Sequence, residues 1–334
     1  MVAGVMKTAR SHRVAEWDEE DGSDPIAEGS AEARALIGEL RESLEGGEPT
    51  PVERLIPLIR HENVEVWGLA LEMLEYHNDP VAIPAVLEAA ADEQIGLAVA
   101  ASDVLRYFRN PEADRELIAG LRHDSLPVRL AAISALRERR SSSAVEPLVS
   151  LLGDIHVEIR REAVVTLASY HRADLLLAVR SAVRDGDPTV RRIAVESLAD
   201  FENASVFGDL LTALSDESWQ VRRAAARALG KVPGQASAYA LRMALEDPIW
   251  QVVVESLTSL GRISAEVDRR ILSLLHDEIP EVRAAAATTV GQSNDPQLIP
   301  YLGALLQDPE QAVAKATRLS IARLNAVASE TNSL

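Results

Sequence analysis

An all-α solenoid of about nine stacked helix pairs, headed by a capping helix, is the fold class this 334-residue sequence predicts. Three observations predict it. First, an apolar residue, a small residue four positions on and a large apolar residue eight positions on recur along the chain, as in Ile159, Ala163 and Leu167. Taking the first of these as an anchor, copies start at Val66, Leu97, Val128, Ile159, Val190, Val221, Val252, Val282 and Val313. The anchors are 31 residues apart except for one 30-residue step, from Val252 to Val282. Second, apolar residues stand eleven and seven positions before every anchor, from Leu55 and Ile59 to Leu302 and Leu306, which marks a first helix ahead of the second. Third, Asp stands five positions before the anchor in seven copies, with His61 and His123 in the other two. A period this regular belongs to stacked units that cannot bury their apolar faces alone.

Taken in order, residues 1–29 are expected to be a disordered acidic tail. Glu16 to Glu32 holds eight acids and no base, interrupted by Gly and Pro. Its Trp17 reads either as a lone aromatic in a solvated tail or as a docking residue. Residues 30–47 are expected to form a capping helix, with Ser30 as N-cap and Ala33, Leu36, Ile37, Leu40 and Leu44 on one face. The repeats then occupy 51–328, and 329–334 form a frayed polar tail. Within each repeat the anchor triplet spans an arc of only about 80° on a helix, a narrow apolar stripe. The Asp set, followed by Pro at 127, 188, 248, 280 and 309, is expected to cap the second helices. Pro57 lies deep enough in a first helix to kink it. Gly230, Gly261 and Gly291 suit helix ends or close backbone packing, and the missing residue falls between Leu260 and Ile271.

The pattern D-x-x-x-[VI]-R-x-x-A-x-x-x-L, as in DIHVEIRREAVVTL from Asp154 and DPTVRRIAVESL from Asp187, resembles the HEAT repeat, in particular the short bacterial phycobilin-lyase type. The resemblance covers residues 51 to about 328 and implies a right-handed solenoid whose second helices line a concave face. It departs from the pattern at Trp67, Ala98 and Ala314, where the Arg after the anchor is absent. It fixes no single activity, because such families include scaffolds, pigment lyases, an iron hydroxylase and DNA-repair enzymes.

Composition narrows the chemistry. With no Cys the chain has no disulfide, thiolate nucleophile or Cys-held metal. Aromatics make up 4% of residues, so Ala, Leu and Val must fill the core. Net charge is −18, concentrated in residues 1–119, while residues 120–231 carry 15 acids and 16 bases. That balance opposes general binding to nucleic acid or anionic membranes, and no apolar run is long enough to span a bilayer. The iron-hydroxylase pattern of His-Glu pairs two and three after the anchor is missing; Arg161-Glu162, Arg192-Ile193 and Val254-Glu255 stand there, and no metal or cofactor is expected. Glu162 and Glu255 read as surface carboxylates.

Arg129, Arg160, Arg191, Arg222 and Arg283, directly after their anchors, are expected to form a ladder with the loop Asp residues. One position later, Arg161, Arg192 and Arg223 point about 160° away from the core stripe. Arg227 extends that row, and Arg137 and Arg106 flank it. The row reads either as solvated charge with local ion pairs, Glu196 answering Arg192, or as a docking groove for an acidic partner. Trp219 and Trp250, two before their anchors, read as inter-helix packing or as an exposed pair. The expected protein is therefore a cytoplasmic, non-catalytic scaffold, monomeric in isolation, with a protein partner. The alternative is a pigment- or cofactor-lyase-type chaperone acting on a partner protein.

Overall fold

The computed structural model describes residues 31–46, 48–201 and 206–331, and every regular element among them is helical. The expected disordered tail, Ser30 as N-cap and the stop at Gly47 lie outside these residues. Two compact units are present, Met1–Leu148 and Val149–Leu334.

The first unit opens with the helix Ala31–Leu44, which packs on the second helix of repeat one, Val64–His77. Only Ala33 and Leu40 of its five apolar positions are fully buried, and ion pairs Arg41–Glu65 and Arg54–Glu39 tie it down. The second helices of repeats one to three, Val64–His77, Ile95–Tyr107 and Leu126–Arg139, then pack in sequence. In the second unit Val157–Ser169, Pro188–Leu198, Trp219–Leu229, Trp250–Arg262, Pro280–Gln292 and Gln311–Thr331 pack in the same way. The last of these continues to Thr331, so the first residues assigned to a frayed tail extend it.

Burial follows the repeat. The nine residues eleven before the anchor are fully buried, as are the nine small residues four after it. Burial of this apolar surface is what holds the array together, at about 25 cal/mol per Å² removed from water. Seven before the anchor burial is less complete: Ala90, Leu152 and Leu214 are partly exposed, and Leu306 of the last repeat is 41% exposed. Each first helix is also shorter than its apolar spacing suggests. Val145–Ser150, for example, gives way to a single 3-10 turn at Leu151–Gly153, and Leu176–Ser181 to one at Ala182–Arg184. Pro57 sits just inside such a turn, Ile56–Arg60, so the deviation expected there is a change of helix type.

The loop Asp residues have a different job from the one expected. In all nine repeats the residue five before the anchor accepts a backbone N–H two residues on, at 2.8 to 3.1 Å. That bond closes a turn between the two helices. His61 and His123 do the same through Nδ1, so in this arrangement that nitrogen carries no proton. The N-cap lies two residues further along. Asn63 and Asp187 fill it with a side chain that accepts the next free amides.

The second role of these Asp residues is the ladder. Arg160, Arg191, Arg222 and Arg283 each bind the Asp of the following repeat (Asp185, Asp216, Asp247, Asp308) through Nε and Nη2, at 2.6 to 2.9 Å. Nη1 of each binds a carbonyl of its own loop. One guanidinium thus joins two repeats in a fixed planar geometry. Arg129 makes the own-loop bond to the His123 carbonyl. Four positions, Trp67, Ala98, Val253 and Ala314, lack the arginine. Trp67 is buried in its place with its indole against Gly96, and Val253 leaves Asp277 without a guanidinium from repeat seven.

Burial alone pushes the Asp185, Asp216 and Asp247 carboxyls up, but the arginine and backbone hydrogen bonds and nearby guanidinium charge outweigh it and hold all three below the ordinary carboxylate range. Asp308 is lowered chiefly by its bond from Arg283. A carboxyl depressed in the folded state contributes stability fully above its unfolded value of about 4 and loses it as pH falls through the lower folded value. Urea midpoints should therefore hold between about pH 7 and pH 5 and drop steeply below about pH 4. A midpoint already falling between about pH 7 and pH 6 would assign the dependence to other groups.

Candidate functional site

The second helices of repeats four to seven bring four of the five candidate arginines into one charged row; Arg137 belongs to the first unit. Their helices start at regular points in the repeat because the loop turns fix them, so residues two and six after the anchor recur on the same exposed side. Arg161, Arg192, Arg223 and Arg227 keep 41, 34, 42 and 46% of their side-chain surface. None joins the ladder, which separates them from Arg160, Arg191 and Arg222 one position earlier.

They are not free charges. Arg192 holds Glu196 one turn along its own helix at 2.9 Å, as the spacing predicts. Arg161 lies 3.4 Å from Glu162. Arg227 and Arg223 both reach Glu255 of the next repeat, at 2.8 and 3.3 Å, and the charge of Glu196 also acts on Arg227. The result is a continuous line, Arg192–Glu196–Arg227–Glu255–Arg223, with one more cation than anion once Arg161 and Glu162 are included. Arg137 is half-buried, with Nη2 3.5 Å from Ser134 Oγ. Arg106 pairs with Asp103 on its own helix.

Glu255 corrects the sequence reading. It is only 8% exposed, not a surface carboxylate. Burial pushes its carboxyl up, but the hydrogen bonds and charges of Arg227 and then Arg223 hold it below the usual glutamate value, so it stays ionised. The signal in the sequence was an acid in a column that elsewhere holds Ile193, Ala224 and Ala285, but Glu162 shares that column, so the spacing alone did not single out Glu255. Trp219 and Trp250, each at the first position of its helix, are half-buried.

Two cavities lie in the second unit. One, about 740 Å³, is an apolar groove between the first helices Phe207–Ala213 and Gln235–Met243, where Leu211, Tyr239 and Met243 are exposed. The other, about 360 Å³, lies between Pro280–Gln292 and Gln311–Thr331. Among the described residues no three His, Asp or Glu side chains gather in a metal-holding arrangement, and no helix is long and apolar enough to cross a membrane.

A family model described as HEAT repeats matches residues 52–137, 114–181, 176–261 and 250–322. No curated protein matches the sequence. Among solved structures, a chain from the study of Kap95p binding to RanGDP is similar over 89% of this chain, with 14% identity and a TM-score of 0.61; this chain spans 47% of its length. Human deoxyhypusine hydroxylase in complex with glycerol aligns over 76% of this chain and 99% of its own, with 20% identity and a TM-score of 0.34. An engineered protein aligns over 88% and 94%, with 18% identity and a TM-score of 0.45.

Proposed function

The chain belongs to the HEAT-repeat family, and from that premise we propose that it is a non-catalytic scaffold whose second-helix face docks an acidic protein partner on the row Arg161, Arg192, Arg223 and Arg227. The finer kinship, to the short phycobilin-lyase type of repeat, is supported by the 31-residue period and the Asp–Arg spacing. The observation that carries the docking reading is that four guanidinium groups remain a third to a half exposed while glutamates hold them in place. Side chains already ordered lose less freedom when a partner's carboxylates arrive. Surface pairs of this kind contribute about 1 kcal/mol or less each to folding, so the row can be altered without unfolding the chain.

Replacing Arg161, Arg192 and Arg223 together by Ser should leave the melting transition nearly unchanged. It should also abolish the salt-sensitive share of partner recovery in a pull-down with purified full-length chain. Equal recovery by both proteins would remove the row from the interface. Absorption spectroscopy of the recovered complex separates the second reading: a colourless complex supports the scaffold, and a bound chromophore supports a lyase-type chaperone.

A further inference from the structure

The last two repeats carry a groove whose charge is unanswered. The helix Gln311–Thr331 holds Lys315, Arg318 and Arg323 against one acid, Glu330, in a chain of net charge −18. Lys315 and Arg323 line the 360 Å³ cavity together with Gly291, Ala312, Ala316 and Leu319, and no carboxylate is part of the lining. Both cations are exposed, and neither makes an ion pair or side-chain hydrogen bond with any of the described residues, unlike the arginines of repeats four to six. Leu319 is 63% exposed, six after its anchor, where Glu196, Arg227, Thr258 and Thr288 stand in the four preceding repeats. A polar column thus ends in a bare leucine between two free cations, and Gly291 and the two alanines add no bulk beside it.

Side chains four residues apart lie on one line along a helix, so Lys315, Leu319 and Arg323 step about 6 Å at a time and span about 12 Å. In an extended chain alternate residues share a face and stand about 7 Å apart. An acid, an apolar residue two on and a second acid two further therefore meet the three side chains one for one. We propose that the groove docks an extended segment of a partner protein with that alternation: acid, any residue, apolar, any residue, acid. Packed helices are about 8–10 Å apart and a helix is about 10–12 Å across, so a partner helix would ride over the groove. A strand can lay its alternate side chains into it. The apolar side chain supplies the burial, and the charges set orientation and salt dependence. The inference goes beyond the docking row of repeats four to six and uses none of its four arginines, so each can fail without the other.

The probe is a fluorescein-labelled synthetic peptide with uncharged ends and the core Glu-Ser-Phe-Ser-Glu, titrated with full-length chain and followed by anisotropy. Its saturable binding should weaken at least about tenfold when Ala replaces the Phe, because the large apolar side chain is what the groove buries. The reordered core Ser-Glu-Phe-Glu-Ser keeps composition and charge but puts the Phe on the face opposite the acids, and should bind as weakly. Lys315→Ser and Arg323→Ser together should cost about tenfold and remove most of the salt dependence. Both side chains line an open groove, and an unchanged thermal melt checks that this variant folds. The Arg161, Arg192 and Arg223 triple change should leave binding in place. The proposal is overturned by an absence of saturable binding, or by equal binding of the two peptide orders, which would mean that charge alone decides. Tighter binding of a helical peptide with the same three residues four apart would also overturn it. So would binding lost in the arginine triple but kept in the Lys315/Arg323 variant.

Discussion

Replacing Arg160, Arg191 and Arg222 together by Ser should unfold the second unit under conditions where the Arg161, Arg192 and Arg223 triple change leaves it intact. The two sets are neighbours in sequence and identical in chemistry; they differ in what they hold. Arg191 is the clearest member, with 9% of its side chain exposed and its partner Asp216 at 13%. Removing the guanidinium strands an ionised carboxylate and two loop carbonyls, those of Asp185 and Gly186. Breaking a buried pair in this way costs about 3–5 kcal/mol, and partial exposure places each rung near the lower end, about 3 kcal/mol. Because successive rungs meet in the same loops, their effects will not add independently, but the sum should approach the whole stability of an ordinary domain. Urea denaturation followed by circular dichroism measures it. Equal midpoint losses in the two triple variants would mean that the exposed row is scaffold too, and the docking reading would go with it.

A single methyl group at Gly291 should do harm comparable to the loss of one rung. A Cβ built there would lie 2.5 Å from Ser320 Cβ and 2.7 Å from Ser320 Cα, and a backbone atom cannot rotate out of the way as a side-chain tip can. Gly291 is inside the helix Pro280–Gln292, so the glycine is kept for the approach of the next helix rather than for turning the chain. Gly291→Ala must push the Gln311–Thr331 helix outward and should cost about 2–3 kcal/mol, in the range of overpacked cores. Gly303→Ala is the control, because nothing lies within 4 Å of its added Cβ. If both changes shifted the melting temperature alike, the close approach of the two helices would not be what limits this interface.

The parts of this molecule that repeat were legible in the sequence, and the parts that depend on one copy differing from the next were not. Val66, Ala70 and Leu74 announce a buried stripe because eight other copies say the same thing. The Arg160–Asp185 rung was accessible for the same reason. The Asp residues were legible as a set but not in their task, since an Asp ahead of a helix satisfies amides equally well as a cap or as a turn. Only the actual caps, Asn63 and Asp187, separate the two. Glu255 was missed because its partners, Arg223 and Arg227, lie 32 and 28 residues away, and its burial is set by their guanidinium groups rather than by its own apolar neighbours. Lys315, Leu319 and Arg323 look in sequence like any solvated helix, and only the packing of two helices shows that they frame one groove.

The ladder also bears on how such a chain can change length over evolutionary time. Every arginine rung joins residues 25 apart, one in each of two neighbouring copies. Losing or duplicating a whole 31-residue unit, as unequal recombination would, therefore reunites an arginine with an aspartate in register wherever the rungs run. Deleting one residue does not, because it moves the loop aspartate away from a guanidinium that has no slack. The 30-residue step from Val252 to Val282 falls at the interface where Val253 stands in place of the arginine and Asp277 receives no rung. Repeat number is free to drift by whole copies, while the length of a copy is free to drift only where the electrostatic register has already been given up.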